Sequence, residues 1–181
     1  MKPERLTGIL QGVQDQIRFC DAKAQVVLGL NGILAGFLAA QTPAIASALA
    51  RNWTHALAWG LLTAASLYLL SLLLSFAFAL RVVVPRLDVS QPDSSVFFAH
   101  IANEYKNNYE QIAKNLPAVS EEELAADFAK QVLANSHVCV RKHRALRNAW
   151  KLMSASLVFW IATWLVLFIA IFRAAASAAT P

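Results

Sequence analysis

The feature that most constrains this chain is the presence of three long runs without a single charged residue or histidine. They cover residues 24–40, 56–80 and 152–172. Crossing a hydrocarbon core about 30 Å thick takes roughly 20 apolar residues of α-helix, and the second and third runs meet that length. In lipid every backbone N–H and C=O must be satisfied within the protein, so the runs are predicted to be helices. The sequence therefore predicts a small membrane protein with three spans.

The runs divide the chain into seven segments that alternate across the membrane. The first run is short, but it gains length if Gln41 and Thr42 lie at the interface, so we place the first span at residues 24–42. In chain order we expect an N-terminal helix (1–23), span 1 (24–42), a loop on the opposite side (43–55), span 2 (56–80), a helical region on the first side (81–151), span 3 (152–172) and a tail on the opposite side (173–181).

The distribution of cations predicts the orientation. The side that holds residues 1–23 and 81–151 carries 14 of the 16 Lys and Arg residues, whereas the opposite side carries only Arg51 and Arg173. The positive-inside rule places the cation-rich side in the cytoplasm. All 11 acidic residues fall there as well, so the net charge of +5 reflects topology rather than a nucleic-acid-binding surface.

A row of apolar residues runs from the N-terminal segment into the first span. Its members recur at alternating steps of four and three, which is the pattern of one face of an α-helix. The row continues without a break, so one helix is predicted to pass from the cytoplasm into the membrane. Its members are Leu6, Leu10, Val13, Ile17, Cys20, Ala24, Val27, Asn31 and Leu34.

Two further helices are predicted after the second span. Prolines break residues 82–93, and residue 93 or 94 can cap a helix that ends near residue 116. Ser120 and Glu123 then form a capping-box pattern, and no Gly or Pro follows until Pro181, so a helix is predicted from about residue 121 to residue 172. The predicted fold is all-α, with three transmembrane helices and a cytoplasmic three-helix bundle formed by two helical extensions and the extra helix.

The cytoplasmic part of the last helix, here called the stalk (residues 121–151), carries a row that includes polar residues. A lysine on a packing face is costly unless it meets an anion or extends to water. Asn135 and Lys142 therefore either fix the register of helix packing, as polar residues do in coiled coils, or contact an anion bound between the helices. The row consists of Phe128, Val132, Asn135, Cys139, Lys142, Leu146 and Ala149.

Charged residues next to the first span are interpreted as pairing or interface residues. Asp21 lies three residues after Arg18, a spacing that allows an ion pair on one helix face. Lys23 lies about 200° from Asp21 around the helix and is predicted to anchor the helix at the membrane interface.

Polar and small residues inside the first span are interpreted as packing residues. Asn31 can form a hydrogen bond across a helix contact, and the spacing of Gly32 and Gly36 permits close approach of another helix. We expect this packing to occur within the monomer rather than at an oligomer interface.

No pattern in the sequence favours catalysis. Walker-type loops, nucleophile elbows, Cys/His pairs and H-E-x-x-H motifs are absent from the sequence, so the protein is predicted not to be an enzyme. Cys20 and Cys139 have no metal-ligand spacing, and neither a metal nor another cofactor is expected. The spans contain no acidic or basic residue and no histidine, which argues against a proton-coupled transporter.

Several stretches of the chain resemble one known family. They are FCDAKA at residues 19–24, VLGLNG at 27–32, SVFFAHI at 95–101, and Asp127-x-x-x-Gln131-x-x-x-Asn135-Ser136 followed by Lys142. These stretches resemble the transmembrane effectors of the Pycsar antiphage system, which are bacterial inner-membrane proteins encoded beside a pyrimidine nucleotide cyclase. The resemblance covers residues 10–170, with departures at Ala99 and His143, where relatives are expected to have Gly and Tyr.

The resemblance implies a function. In such systems phage infection triggers synthesis of cyclic UMP or cyclic CMP, and the effector then impairs the inner membrane, so that the cell dies or stops growing before phage mature. It implies a multi-pass protein of the cell inner membrane, a functional link to a cyclase, and a cyclic nucleotide as activating ligand. The orientation predicted from the cations puts the N-terminus in the cytoplasm and the C-terminus in the periplasm.

Candidate ligand-binding residues combine matched motif positions with the polar residues of the stalk row. They are Phe98, His100, Gln131, Asn135 and Lys142. Three spans are too few to enclose a wide pore, so a membrane leak requires either several copies or a disturbance of the bilayer, and a homo-oligomer is expected in the active state. A different class of function stays open: a membrane-anchored helical scaffold whose cytoplasmic bundle docks a protein partner, with Asn135 and Lys142 setting register only.

Overall fold

In the computed structural model, residues 3–50, 55–84, 110–111, 114 and 119–179 are described. Three helices make up most of these ranges, namely α1 (Pro3–Ala50), α2 (His55–Val83) and α3 (Glu121–Ala179), and no strand occurs within them. The predicted all-α class is confirmed. The predicted helix near residues 94–116, and with it the third member of the expected cytoplasmic bundle, lies outside the described residues.

Each of the three helices is long and apolar enough to cross a membrane. Large apolar side chains lie exposed along all of them, as Phe37, Leu73, Leu165 and Phe168 illustrate. An exposed apolar surface of this extent would be unfavourable in water but suits contact with lipid. The three predicted spans therefore fall on three observed helices.

Helix α1 buries the row that the sequence predicts. Most members of the row are buried and Val13 and Ile17 are half-buried, so one face of a single helix is covered along residues 6–34. The helix also continues through residues 43–50, which the sequence analysis placed in a loop. Pro43 has no N–H to donate to the carbonyl of residue 39, yet the helix continues past it to Ala50. Next to it, Thr42 Oγ1 donates a hydrogen bond to the carbonyl oxygen of Leu38 at 3.0 Å.

Helix α3 begins at the predicted capping box and extends seven residues past the predicted end of the span. The backbone N–H of Ser120 donates to Oε2 of Glu123 at 3.0 Å, and the backbone N–H of Glu123 donates to Oγ of Ser120 at 3.2 Å. The hydrogen bond from the Ser120 backbone, with a second from its hydroxyl, holds the pKa of Glu123 below its ordinary value. The predicted capping box is confirmed.

The chain divides into two compact units. The first unit comprises residues 1–21 and 84–143, and the second comprises residues 22–83 and 144–181. Among the described residues of the second unit, one hydrophobic cluster is built on Leu34, Tyr68 and Leu72, and another on Ala48, Leu61 and Leu167.

The buried rows of α2 and α3 in the second unit repeat every seven residues, or about two helical turns. The row on α3 contains no side chain larger than threonine, and its 21-residue length corresponds to a rise of about 32 Å. The α2 row consists of Leu61, Tyr68, Ser75 and Val82, and the α3 row of Ala149, Ser156, Thr163 and Ala170.

Candidate functional site

An ion pair between α1 and α3 is the main polar contact described in the first unit. Nζ of Lys142 donates a hydrogen bond to Oδ1 of Asp21. The Lys142 side chain is 15% exposed and the Asp21 side chain 33% exposed, so water reaches the carboxylate more easily than the ammonium. The cost of a lysine on a packing face is therefore offset by an anion that the protein itself supplies.

This pairing corrects one expectation from the sequence. Arg18 pairs with Asp15, with 3.5 Å between Nη1 and Oδ1, and not with Asp21. Both side chains of that pair are mostly exposed, so it contributes little to stability. Asp21 lies three residues before the buried Ala24, on a neighbouring row of the same helix face, and this position at the edge of the row is the signal that could have identified it as an interhelical partner.

The buried face of the stalk is shifted from the row that the sequence predicts. Asp127 and Gln131 are buried, whereas Phe128 and Val132 are only half-buried. The reason is geometric. An ideal straight α-helix has 3.6 residues per turn, so side chains that recur every seven residues shift around the helix axis by about 20° per repeat. Over the three heptads that separate Phe128 from Ala149 the drift reaches about 60°, and positions 127 and 131 take over the buried face.

The polar residues of the stalk differ in how far they are already engaged. Asp127 and Gln131 both take part in interactions within the chain, including a contact of 3.8 Å between Asp127 Oδ1 and Nζ of Lys130. Asn135 is half-buried and forms no hydrogen bond with the described part of the chain. It lies seven residues, or about 10 Å of helix rise, before Lys142 on the same row. The amide of Asn135 is therefore uncommitted within the described part of the stalk.

Two of the five candidate ligand residues, Phe98 and His100, lie outside the described residues. The other three, Gln131, Asn135 and Lys142, lie on α3, and their side chains are buried or half-buried. Their role in ligand binding stays a prediction, as does the role of the exposed Lys23 as an interface anchor.

In the second unit Asn31 and Ser75 together connect the three helices at one level. Its Nδ2 donates a hydrogen bond to Ser75 Oγ at 3.0 Å, and Ser75 Oγ approaches the carbonyl oxygen of Ala149 at 3.0 Å. All three residues are buried. The prediction that Asn31 bonds across a helix contact is confirmed.

The expectation for the two glycines next to Asn31 is wrong. A Cβ placed on Gly32 or Gly36 would meet no neighbouring atom within 4 Å, and both residues are exposed. Gly32 is turned by about 100° from Asn31 around the helix, so it faces away from the contact that Asn31 makes. The glycines therefore do not provide a close helix approach within the described part of the monomer.

A second buried amide, that of Gln41, links α1 to α3. With the amide oriented so that Oε1 faces the indoles, Oε1 accepts hydrogen bonds from Nε1 of Trp160 at 2.9 Å and from Nε1 of Trp164. These residues line an open, apolar groove of about 770 Å³ between the two helices. The sequence carries no periodic signal for this contact, because Gln41 is a lone glutamine and the two tryptophans lie more than 100 positions away along the chain.

Comparison with known proteins identifies one family. A family model described as the Pycsar effector protein domain matches residues 5–171, which include Asp21, Asn135 and Lys142. No curated protein matches the chain. No solved structure matches it either.

Proposed function

We propose, because this chain belongs to the family of Pycsar effector proteins, that it detects cyclic UMP or cyclic CMP made by a partner cyclase and then impairs the inner membrane. Membership gives the protein a role as an antiphage defence effector, and the family is one of effectors rather than a known enzyme family. Loss of membrane function would kill or arrest the infected cell before phage mature.

The proposed topology puts the sensing residues where the messenger is made. With 14 of 16 cations on one side, residues 1–23 and 81–151 lie in the cytoplasm, and residues 43–55 and 173–181 face the periplasm. The cyclase product would therefore meet the stalk without crossing the membrane.

The observation that carries the proposal is the shielded Asp21–Lys142 pair within segments that the family model matches. A cyclic nucleotide carries one negative charge on its phosphodiester, and an ammonium group on a packing face suits such an anion. The amide of Asn135 both donates and accepts hydrogen bonds, which are the contacts that the edge of a pyrimidine offers.

Two continuous helices offer a route from binding to the membrane. Both α1 and α3 contain residues of the first and of the second unit without a break in the helix. A rotation or axial shift of their N-terminal parts would thus be carried along each helix. The messenger can drive such a change only by binding one arrangement more tightly than the other, and the active form would contain several copies of the chain.

The direct test uses the purified full chain and vesicles that contain it. Calorimetric titration with cyclic UMP and cyclic CMP should detect binding of at least one, with cyclic AMP and linear 5′-UMP as controls. The bound nucleotide, and neither control, should then collapse a potential set across the vesicle membrane. Absence of binding to both cyclic pyrimidine nucleotides, or binding that leaves the potential intact, would overturn the proposal.

One observation favours a scaffold that docks a protein partner. Asp21 already balances the charge of Lys142, as expected if the pair only fixes helix register. The double variant Asp21→Asn/Lys142→Met removes both charges at once and separates the two functions. A scaffold would keep its fold and its partner, whereas an effector would insert normally and lose its response to the messenger.

A further inference from the structure

We infer, on the basis of the proposed function, that Asp21 is an internal competitor of the messenger. Before the messenger binds, the carboxylate of Asp21 pairs with the ammonium group of Lys142. On binding, the cyclic phosphodiester takes the place of that carboxylate. The pair would then be a latch between α1 and α3 that the messenger opens, rather than a permanent structural contact.

The unequal exposure of the two partners determines which one can be exchanged. Lys142 is the more shielded group, so it requires an anion at all times, whereas Asp21 is one-third exposed and can be hydrated when it leaves. Within the described residues Asp21 is the one polar partner of Lys142, and it makes a single contact. An ammonium group has three donors, so a phosphodiester with two free oxygens can satisfy it better than the present contact does.

The exchange conserves charge. A carboxylate and a cyclic phosphodiester each carry one negative charge, so the balance around Lys142 is the same before and after binding. What changes is the connection between the helices, because Asp21 belongs to α1 while the ligand is free to remain on α3. Asn135, on the same row of α3 and uncommitted in the described structure, is placed to hold the rest of the nucleotide.

This arrangement predicts opposite effects for the two partners. Without Asp21 the messenger no longer competes with an internal anion, and the binding-competent form becomes more populated, so apparent affinity rises. Without Lys142 the phosphodiester loses its cation, so affinity falls. If the ion pair were purely structural, both substitutions would change the affinity for the messenger in the same direction, because each breaks the same contact.

The experiment is calorimetric titration of the full chain with whichever cyclic pyrimidine nucleotide the wild-type protein binds. We expect Asp21→Asn to lower Kd by about fivefold to tenfold and Lys142→Met to raise it by at least about tenfold, since removal of a charge-assisted contact changes affinity on that order. The exchange Asp21→Lys/Lys142→Asp retains an ion pair but puts a carboxylate on α3, and it should abolish binding. The matched control is Asp15→Asn/Arg18→Gln, which alters the exposed pair nearby and should leave Kd unchanged.

The outcomes separate this inference from the proposed function. Equal weakening by Asp21→Asn and Lys142→Met, with recovery in the charge-exchanged protein, would overturn the latch while leaving messenger sensing intact. A wild-type protein that binds neither nucleotide would overturn the proposed function and the latch together. Helix content measured by circular dichroism verifies that each variant is folded, and the charge-exchanged protein keeps the test decisive if a single substitution destabilises the fold.

Discussion

The two units connect their helices with polar contacts of different kinds. In the first unit α1 and α3 meet through the ion pair of Asp21 and Lys142, whereas in the second unit the helices meet through neutral groups, as in the contact of Asn31 on α1 with Ser75 on α2. A charged contact that water can reach can be exchanged for a dissolved anion. A neutral contact among apolar helices has no such competitor, so it is suited to hold packing rather than to respond to a ligand.

The hydroxyl groups of the second unit illustrate this second kind of contact. Ser71, Ser156 and Thr163 each donate to a carbonyl oxygen of their own helix, at distances from 2.7 to 2.9 Å. Their polarity is thus satisfied locally, which permits small hydroxyl side chains to be buried between apolar helices. The Ser75 hydroxyl differs from these three, because its hydrogen bonds reach across to other helices.

The largest effect is expected when a charge is introduced into the neutral contact of Asn31 with Ser75. We expect Asn31→Asp to destabilise the membrane-inserted fold by about 3 kcal/mol, because an ionised carboxylate near the centre of a span costs that much. Unfolding in lipid bicelles measures the loss, with Asn31→Leu as the uncharged control. Equal stability of the two variants would show that the second unit tolerates charge as the first does.

Removal of one charge from the ion pair of the first unit should reduce the free energy of unfolding by less than Asn31→Asp does. We expect Lys142→Met to lower the free energy of unfolding by about 1 kcal/mol, because the Asp21 carboxylate is one-third exposed and water partly solvates it once it is unpaired. The difference from wild type should shrink at high salt, since ions screen the exposed part of the pair. A loss that does not depend on salt would contradict an exchangeable contact.

The helix cap at the start of α3 gives an effect of similar size that depends on pH. We expect Ser120→Ala to destabilise the first turn by about 1 kcal/mol, seen as faster amide hydrogen exchange at residues 121–124. Because the pKa of Glu123 is lower in the folded protein, the cap contributes its full stabilisation above the ordinary pKa of 4.5 and loses it as pH falls through the lowered pKa. The protection of these amides, taken relative to the unprotected exchange rate at each pH, should therefore fall in the wild-type protein toward that of Ser120→Ala in acid, while the protection in the variant changes less. Equal exchange rates in the two proteins at neutral pH would contradict the capping role.

The smallest effect is expected for the neutral contact itself. Ser75→Ala should cost about 0.6 kcal/mol, the average for hydrogen bonds between membrane helices, and the cost should not vary with salt. Ser71→Ala is the matched control, because its hydroxyl bonds only within α2 among the described contacts. A salt-dependent loss at Ser75 would remove the distinction between the two units.

Periodicity predicted the helices well and the polar contacts only in part. The α1 row and the capping box follow from local rules, so both were found in advance. The pairing of Asp21 with Lys142 joins residues 121 positions apart, and no local rule connects them. The burial of Asp127 was not predicted, because a strict seven-residue repeat does not follow one face of a straight helix. Gly32 and Gly36 were wrongly expected at a helix contact, because the spacing of small residues does not tell which face of the helix points toward its neighbours.

The small side chains along the buried row of α3 have a consequence for variation in this protein. At Ala149 the Ser75 hydroxyl of α2 lies against the carbonyl oxygen of α3, so the helices are separated there by little more than their own main chains. Ala149 is fully buried, so a bulkier residue at that position must displace atoms of the neighbouring helices. Random mutagenesis should therefore find this narrow strip far less permissive than the leucine-rich outer surface, even though the strip contains no chemically reactive group.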